Sequence, residues 1–309
     1  MPIKTKLLLL CILVTAVPTH SQISFVYNLK IAETTKRIAL HSPLAKRSLA
    51  TCVALGTFRK QYNGTKQNCG GALFTLAYAP ENFFLRVDGA VAKVTSHSPL
   101  GIHSARTQTD DLLFTAGFSP KLSENRRFTY SALVGFPTHK DTSLERAEFG
   151  LAHYAVGAQM DGSFIFPQNE QHSLRLAARC IHFFPRGVNA QLPGGIIKPV
   201  RFNLGDLTDL YLAFHTDKER HAAEAGYNAS FIFNATLCPL LIPTLPCLNA
   251  QIIKSFVRNS FYGVYYYRFL ARTTPNILTT GFSYGFDSPA TLFNNKQILT
   301  IWGSWSVNF

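Results

Sequence analysis

Apolar and polar residues alternate with a period of two along most of the chain from about residue 49 onward. The clearest example is the segment 127–136, where every second position is aromatic, valine or alanine and most intervening positions are polar or glycine. Successive side chains of a β-strand point to opposite faces, so this period indicates strands with one apolar and one polar face. The pattern predicts an all-β chain.

Twelve segments follow this pattern, and most are longer than strands of soluble proteins, which average about five or six residues. Their lengths match the roughly 9 to 11 residues, or slightly more, that a tilted strand needs to cross a bilayer. The predicted strands are 48–59, 70–79, 82–94, 110–119, 126–137, 146–159, 173–184, 208–216, 221–234, 256–269, 276–286 and 297–309. The first and the sixth of them alternate least clearly.

The predicted connections between these strands alternate between long and short. The long ones are 60–69, 95–109, 185–207 and 235–255, and the short ones are 80–81, 120–125, 217–220 and 270–275. The connection 160–172 is an exception, because it should be a short turn and is not. Long loops on one side, short turns on the other and an even strand count are typical of transmembrane barrels, whose chain ends both lie on the short-turn side.

A sheet that crosses a bilayer must close on itself, because each unpaired backbone amide costs several kcal/mol in hydrocarbon. We therefore predict a closed antiparallel up-and-down transmembrane β-barrel of about 12 strands, with short periplasmic turns and long extracellular loops. Apolar side chains would then face the lipid and polar ones the lumen. Trp302 is a departure from this rule, because its position falls on the predicted inward face.

The end of the chain carries apolar residues at alternating positions and finishes on an aromatic one: Leu299, Ile301, Trp305, Val307 and Phe309. This ending resembles the C-terminal insertion signature of bacterial outer-membrane β-barrel proteins. The terminal motif covers about ten residues, whereas the pattern of strands and loops covers nearly the whole predicted mature chain. The resemblance implies a place in the bacterial outer membrane, with its lipid bilayer and the outer-membrane barrel-assembly machinery as partners.

The start of the chain reads as a secretory signal peptide over residues 1–21. Lys4 and Lys6 precede an apolar run of 11 residues, too short for a membrane helix of about 20, and small residues follow at 19–21. Residues 22–47 alternate poorly and carry five basic side chains, so we expect a basic N-terminal periplasmic segment, with a plug inside the lumen as the alternative. The barrel would then span 48–309.

Composition supports a membrane-embedded wall over a nucleic-acid-binding role. Only 15% of the residues are charged, against about 25% in an ordinary soluble domain, while 25 phenylalanines and 12 tyrosines are present. The formal net charge of +13 would suggest nucleic-acid binding, but the basic residues are scattered singly along the strands and the chain is expected to be exported.

The alternation also predicts which side chains face the lumen. They are Arg86, Asp88, Arg127, Arg175, Arg179, Glu224, Arg258, Tyr262, Tyr266 and Arg268, with Asp111 and Asp209 near strand ends. Six arginines against four acids would make the interior mildly cationic, and rings of arginine in a pore favour anions. We therefore expect a channel for small polar or anionic solutes. A structural or closed barrel without transport, in which the arginines pair with acids, is the first alternative.

Two further alternatives are an outer-membrane lipid hydrolase and a soluble secreted β-sandwich that binds a ligand. Serine and histidine occur together near residues 96–104, but no third orienting group accompanies them, so we expect no enzyme. The sequence shows neither a cofactor motif nor a metal-ligand spacing, and we expect no cofactor and no metal.

Cys238 and Cys247 bracket a proline-rich stretch of the apolar loop 235–255 and are a candidate disulfide pair. The loop itself could enter the barrel mouth as a constriction, lie against the outer leaflet, or move freely at the surface. Its role, like that of residues 22–47, is left open by the sequence.

Overall fold

The alternating segments form one continuous antiparallel wall. The computed structural model describes residue 27 and the ranges 47–62, 65–80, 82–97, 103–123, 126–138, 151–191, 197–233, 236–239, 251–252, 256–271, 274–287 and 297–308. Every regular element in these ranges is a β-strand. Among the described residues, no helix is long and apolar enough to cross a membrane.

Eighteen strands lie within the described ranges, and fourteen of them belong to the main sheet. The eighteen strands are β1 (Arg47–Tyr62), β2 (Thr65–Pro80), β3 (Phe83–His97), β4 (His103–Thr109), β5 (Leu112–Phe118), β6 (Lys121–Ser123), β7 (Arg126–Phe136), β8 (Ala155–Phe166), β9 (Asn169–Phe183), β10 (Arg186–Gln191), β11 (Ile197–Asn203), β12 (Gly205–Lys218), β13 (His221–Phe233), β14 (Thr236–Pro239), β15 (Gln251–Ile252), β16 (Phe256–Ala271), β17 (Thr274–Asp287) and β18 (Gln297–Asn308).

The main sheet closes into a barrel because β1 pairs with both β2 and β18, and β2 continues to β3. The predicted closed antiparallel barrel of 12 strands is confirmed. Its twelve wall positions are held by β1, β2, β3, β4 with β5, β7, β8, β9, β12, β13, β16, β17 and β18. A closed ring excludes the β-sandwich alternative.

Strands β4 and β5 share one wall position because β3 pairs with each of them over a different half. Val91–His97 of β3 faces β4, and Phe83–Asp88 faces β5. Asp110 and Asp111 interrupt the strand between the two halves, although the Asp110 amide still donates to the Ala90 carbonyl at 2.7 Å. The break brings two carboxylates to one level of the barrel wall.

The two ends of the barrel differ in their connections. At the end that we call the turn end, β8 joins β9 through Pro167 and Gln168, and β12 joins β13 through Glu219 and Arg220. At the opposite loop end, most connections are longer, and β10, β11, β14 and β15 form a separate four-stranded sheet. Short turns mark the periplasmic end of outer-membrane barrels.

Several predicted boundaries are wrong: the predicted loop 95–109 contains β4, 185–207 contains β10 and β11, and 235–255 contains β14 and β15. Two further differences change the pattern of connections. The sixth strand is Ala155–Phe166 and not 146–159, so the supposed long connection 160–172 shrinks to a two-residue turn. The predicted loop 60–69 belongs largely to strands, because Tyr62 pairs directly with Thr65. The first correction strengthens the barrel pattern, because a short turn now lies at the turn end. The second lengthens β1 and β2 but places a short connection at the loop end.

The barrel exposes its large apolar side chains and buries many of its polar ones. Leu55 is 64% exposed, Phe83 is 61% exposed and Trp305 is 54% exposed, whereas Asp88 and Arg179 on the inward face are 1% and 2% exposed. In water, each Å² of apolar surface left exposed would lose about 25 cal/mol of the free energy that burial provides. A lipid surround removes that cost. The outward surface therefore identifies a membrane-facing wall.

Candidate functional site in the barrel lumen

Polar side chains form a column inside the barrel along β12 and its neighbours. Asp209, Tyr211, His215 and Asp217 occupy alternating inward positions of β12, and all but Asp217 are buried. Each of them contacts polar side chains from β9, β13 or β16. The column extends from the turn end toward the loop end and consists of three groups, the first two of which are linked through His215.

The first group is centred on the Glu224 carboxylate of β13, which is 2% exposed. It accepts hydrogen bonds from the Tyr211 hydroxyl and, at 3.1 Å, from the Tyr262 hydroxyl, and the two rings stack with centroids 5.3 Å apart. Arg175 Nη1 lies 3.4 Å and His215 Nδ1 lies 3.3 Å from Glu224 Oε2. A buried carboxylate needs such donors, because an unpaired buried charge costs several kcal/mol.

The second group lies at the turn end, where Arg268 of β16 reaches across β13 to Asp217 of β12. Its two terminal nitrogens donate to the two carboxylate oxygens at 2.6 and 2.7 Å, a bidentate arrangement. Both side chains are 39% exposed, so water reaches this pair. His215 Nε2 lies 3.8 Å from Asp217 Oδ2 and links the pair to the Glu224 group.

The third group is a buried ion pair between Arg179 of β9 and Asp209 of β12. Arg179 donates from Nε at 3.0 Å and from Nη2 at 2.6 Å to Asp209 Oδ2, and Ser230 Oγ donates to Oδ1 at 2.5 Å. Arg179 Nη2 also donates to the Tyr27 carbonyl at 2.5 Å. The two charged side chains are 2% and 4% exposed, so this pair is shielded from water.

Tyr27 brings a residue from before the first strand into the barrel. Its ring meets Phe183 edge-on with centroids 5.4 Å apart. A Cβ added at Gly135 would lie 1.9 Å from the Tyr27 hydroxyl oxygen, so glycine is required there. Tyr27 therefore narrows the lumen near β7 and β9. Arg47 begins β1, and residues 22–26 and 28–46 lie outside the described part of the chain, so the periplasmic placement of this segment stays a prediction.

The loop end is narrowed by the chain that precedes β8. Both oxygens of the Asp111 carboxylate accept backbone N–H bonds, from Leu151 at 3.1 Å and from Ala152 at 3.0 Å. Asp110 Oδ1 in turn accepts the Asp111 amide at 2.9 Å. These bonds fold Leu151, Ala152 and His153 into the barrel, where all three are buried.

His153 joins this inward-folded segment to the start of β10. Arg186 Nε donates to His153 Nε2 at 3.1 Å, which makes Nε2 the acceptor. The other ring nitrogen, Nδ1, then carries the hydrogen and donates to the Phe184 carbonyl at 2.8 Å. Phe183 and Phe202 flank the imidazole with centroids 6.2 and 5.6 Å away. We call Tyr27, Arg179, Asp111 and His153 with their direct partners the constriction.

The opposite wall of the lumen is mostly apolar. Leu73, Phe84, Leu113 and Leu133 are buried inward residues of β2, β3, β5 and β7. The charged exceptions are Arg86 and Asp88 of β3 and the two aspartates between β4 and β5, Asp110 and Asp111. Asp88 accepts from Thr75 Oγ1 at 2.6 Å and lies 2.7 Å from Arg86 Nε. The side along β9–β16 thus carries the linked charged groups, and the side along β2–β7 is more apolar.

Seven residues predicted to line the lumen take part in these buried groups or their neighbours: Arg86, Asp88, Arg175, Arg179, Glu224, Tyr262 and Tyr266. Arg258 and Arg268 lie near opposite ends of β16, and Arg127 is exposed near the turn end. Sequence reasoning missed Tyr27, Tyr211 and Asp217. The signal for the last two was present, because they continue the alternating series that begins at Asp209.

The C-terminal motif lies on the outward face as far as it is described. Leu299, Ile301 and Trp305 are exposed, Val307 is partly exposed, and Phe309 lies outside the described residues. Trp305 Nε1 donates to Asn276 Oδ1 at 2.8 Å near the turn end. An interfacial tryptophan with a bonded N–H fits the aromatic girdle of a barrel. Recognition of this motif during insertion stays a prediction.

Only one of the two cysteines of the predicted disulfide lies in the described part of the chain. Cys238 belongs to β14, whereas Cys247 lies outside the described residues. Within the described ranges, no group of three or more histidine, cysteine, aspartate or glutamate side chains could hold a metal ion.

Comparisons with known proteins agree on the fold. No family model and no curated protein matches the chain. Among solved structures, an outer-membrane channel from Pseudomonas putida F1 aligns with a TM-score of 0.62 at 12% identity, covering 87% of this chain and 98% of that chain. The β-domain of the Bordetella autotransporter BrkA aligns with a TM-score of 0.50 at 8% identity, covering 85% and 100%. The chain therefore has the fold of bacterial outer-membrane β-barrels.

Proposed function

We propose that the chain is a channel of the bacterial outer membrane that passes small polar solutes through its lumen. The observation that carries this proposal is the polar column, which runs from Asp217 and Arg268 at the turn end, through Glu224, to Arg179 and Asp209. A polar solute that crosses a bilayer needs hydrogen-bonding partners at each level, and this column supplies them. The channel from Pseudomonas putida F1 shares the fold.

The anionic part of the predicted solute class depends on the charge balance of the lumen. Four of the predicted arginines lie beside an acid: Arg86 with Asp88, Arg175 with Glu224, Arg179 with Asp209, and Arg268 with Asp217. The buried acids Asp110 and Asp111 add to the negative side of the balance. We therefore propose polar solutes as the main class, and preference for anions over cations stays a prediction that conductance can test.

The constriction would set the size limit of the proposed channel. It combines a shielded ion pair, the Tyr27 ring and the segment that Asp111 holds inside the barrel. Solutes would pass where these groups leave space, so only small ones are expected. A closed barrel without transport is the second candidate, favoured by the nearly complete burial of Arg179 and Asp88.

Conductance of the refolded protein in a planar bilayer tests the proposal. The wild-type protein is expected to give discrete current steps, and silence at all voltages would favour the closed barrel. Replacing Arg175 and Arg179 by alanine would leave Glu224 and Asp209 without these partners, so the selectivity is expected to shift toward cations. Arg126→Ala, at an exposed outward position of β7, is the matched control and should leave selectivity unchanged.

Each variant also needs a check that the barrel has formed. A folded barrel in detergent migrates differently on a gel before and after boiling, and only samples with that shift enter the comparison. If the double variant folds, conducts and keeps the wild-type selectivity, the two arginines do not face the solute path. The proposed lining would then be wrong.

A further inference from the structure

The outer wall of the barrel carries a groove in its loop-end half. Its volume is about 700 Å³, and it spans the neighbouring strands β17, β18, β1, β2, β3 and β4. We call it the wall groove and define it by Leu55, Gly70, Ala72, Val91, Lys93 and Ile301. Ten of the fourteen lining residues occupy outward positions of their strands. The other four, Gly56, Gly71, Ala92 and Trp302, are inward residues that lie between outward ones on the same strands, so the groove opens toward the membrane.

The groove exists because bulky side chains are missing from the middle of an otherwise bulky surface. On β2 the outward positions Tyr78, Leu76 and Phe74 are followed by Ala72 and Gly70. A Cβ added at Gly70 would meet only the Thr57 methyl, at 4.0 Å, so the space above this glycine is open. Residues on the neighbouring strands form the sides, and Gly70 with Ala72 forms the floor.

The register shows how the sides are arranged around that floor. Gly70 pairs with Thr57 of β1 and with Lys93 of β3. One row nearer the turn end, Ala72 lies between Leu55 and Val91 in the same way. Leu55 and, beyond it on β18, Ile301 are 64% and 51% exposed and stand out from the wall. The groove therefore has apolar sides, hydroxyl groups at Thr57, Thr107 and Thr280, and an ammonium group at one side.

Lys93 lies at the level where the apolar surface ends. It is ten residues beyond Phe83 on β3, which corresponds to about 33 Å along the strand. With a tilt of about 40°, the rise is about 25 Å, the height of the apolar band of outer-membrane barrels. The next outward residue toward the loop end on β2 is the exposed Asn68. The charge of Lys93 thus coincides with the expected headgroup level.

We propose that the wall groove binds one molecule of an anionic glycolipid of the lipid A type from the leaflet at the loop end. An acyl chain would lie over Gly70 and Ala72, between Leu55 and Val91, where it removes apolar surface from contact with disordered lipid. A phosphate of the headgroup would pair with Lys93, since a lysine ammonium binds phosphate as a point charge. The site faces away from the lumen, so it does not depend on the proposed channel.

Native mass spectrometry of the refolded, detergent-solubilised full chain tests the proposal, with lipid A carrying both phosphates as the probe. Dephosphorylated lipid A and phosphatidylethanolamine are the comparison lipids. Lys93→Gln should reduce the retained phosphorylated lipid about fivefold, the effect expected for one basic residue at an anionic lipid surface. Gly70→Leu should reduce binding of both forms of lipid A, because the side chain occupies the open floor of the groove.

Two matched variants separate the groove from the rest of the surface. Ala158→Leu places the same leucine side chain at an exposed outward position of β8, and Lys218→Gln removes an exposed charge at the turn end. Both should retain lipid A like the wild type. Removing the phosphates from the probe should weaken binding to the wild type but have little further effect on Lys93→Gln.

Three outcomes would overturn the proposal. Equal retention by the wild type, Lys93→Gln and Gly70→Leu would show adventitious lipid binding. Equal retention of phosphatidylethanolamine and lipid A by the wild type would show an unselective lipid groove. A dimer that is lost in Gly70→Leu would show that a second copy of the chain occupies the surface.

Discussion

The ion pair between Arg179 and Asp209 allows the sharpest test of whether water is excluded from this part of the lumen. Arg179→Ala removes three hydrogen bonds, at 3.0, 2.6 and 2.5 Å, and leaves the Asp209 carboxylate with Ser230 as its remaining described donor. Because both charged side chains are almost fully shielded, the loss should resemble breaking a buried pair, which costs about 3–5 kcal/mol.

The pair between Arg268 and Asp217 is the control, because it has the same chemistry at a wetter place. It is bidentate, with distances of 2.6 and 2.7 Å, but both side chains are 39% exposed. Exposed ion pairs contribute about 0–1 kcal/mol, so Arg268→Ala should change stability little. The two variants should thus differ by roughly 2–5 kcal/mol in free energy of unfolding.

Guanidinium unfolding of the protein refolded into phospholipid vesicles measures this difference, with the fluorescence of the two tryptophans as the signal. The double variant Arg179→Ala with Asp209→Ala should lose less stability than Arg179→Ala alone, since it leaves no unpaired charge. If Arg179→Ala lowers the free energy of unfolding no more than Arg268→Ala does, water reaches the Arg179–Asp209 pair. The claim that the constriction excludes water would then be refuted.

Three further predictions concern the lumen and the wall. Tyr27→Ala should raise the single-channel conductance, because it removes a ring from the constriction; an unchanged conductance would place the limiting width elsewhere. Gly281→Ala should cost about 1–3 kcal/mol, because the new Cβ would lie 2.5 Å from two ring carbons of Trp302, whereas Gly70→Ala should be nearly neutral in the same unfolding assay. Glu219→Gly should stabilise the barrel by about 1 kcal/mol, because Glu219 has a φ of 44° in the turn between β12 and β13; a loss of stability would contradict this.

Sequence reasoning located best the strands in which the alternation runs over nearly the whole length. The predicted strand 126–137 matches β7, Arg126–Phe136, because lipid on one side and the lumen on the other impose a clean alternation. Beyond the apolar band both faces meet water, so the alternation stops although the backbone pairing continues. This is why the paired ends of β1 and β2, up to Tyr62 and Thr65, resembled a loop.

The misplaced sixth strand has a different cause. Its predicted range 146–159 included Leu151, Ala152 and His153, which are apolar enough for a strand but are folded into the barrel by Asp111. That contact joins residues about 40 positions apart, and no local pattern contains it. The placement of Tyr27 depends in the same way on Arg179, which is 152 positions along the chain. Alternation predicts which side of the sheet a strand residue faces. It carries no information about segments that enter the lumen from outside the sheet.

The arrangement of the ion pairs bears on whether the barrel is a channel or a filled structure. Arg86 and Asp88 share one strand, and Arg179 and Asp209 are direct register partners on neighbouring strands. The pairs of Arg175 with Glu224 and of Arg268 with Asp217 each span a single intervening strand. Each of these pairs lies along the wall and does not join opposite walls.

Charges that are satisfied along the wall need no partner on the far side, so they hold the barrel together without crossing its axis. A barrel stabilised only by its filling would depend on contacts across that axis. Here the narrowing comes instead from Tyr27 and from the segment bonded to Asp111, which are attached to a wall that is already paired. Removing the Tyr27 ring should therefore widen the lumen and leave the wall intact, a combination that a filled barrel would not tolerate.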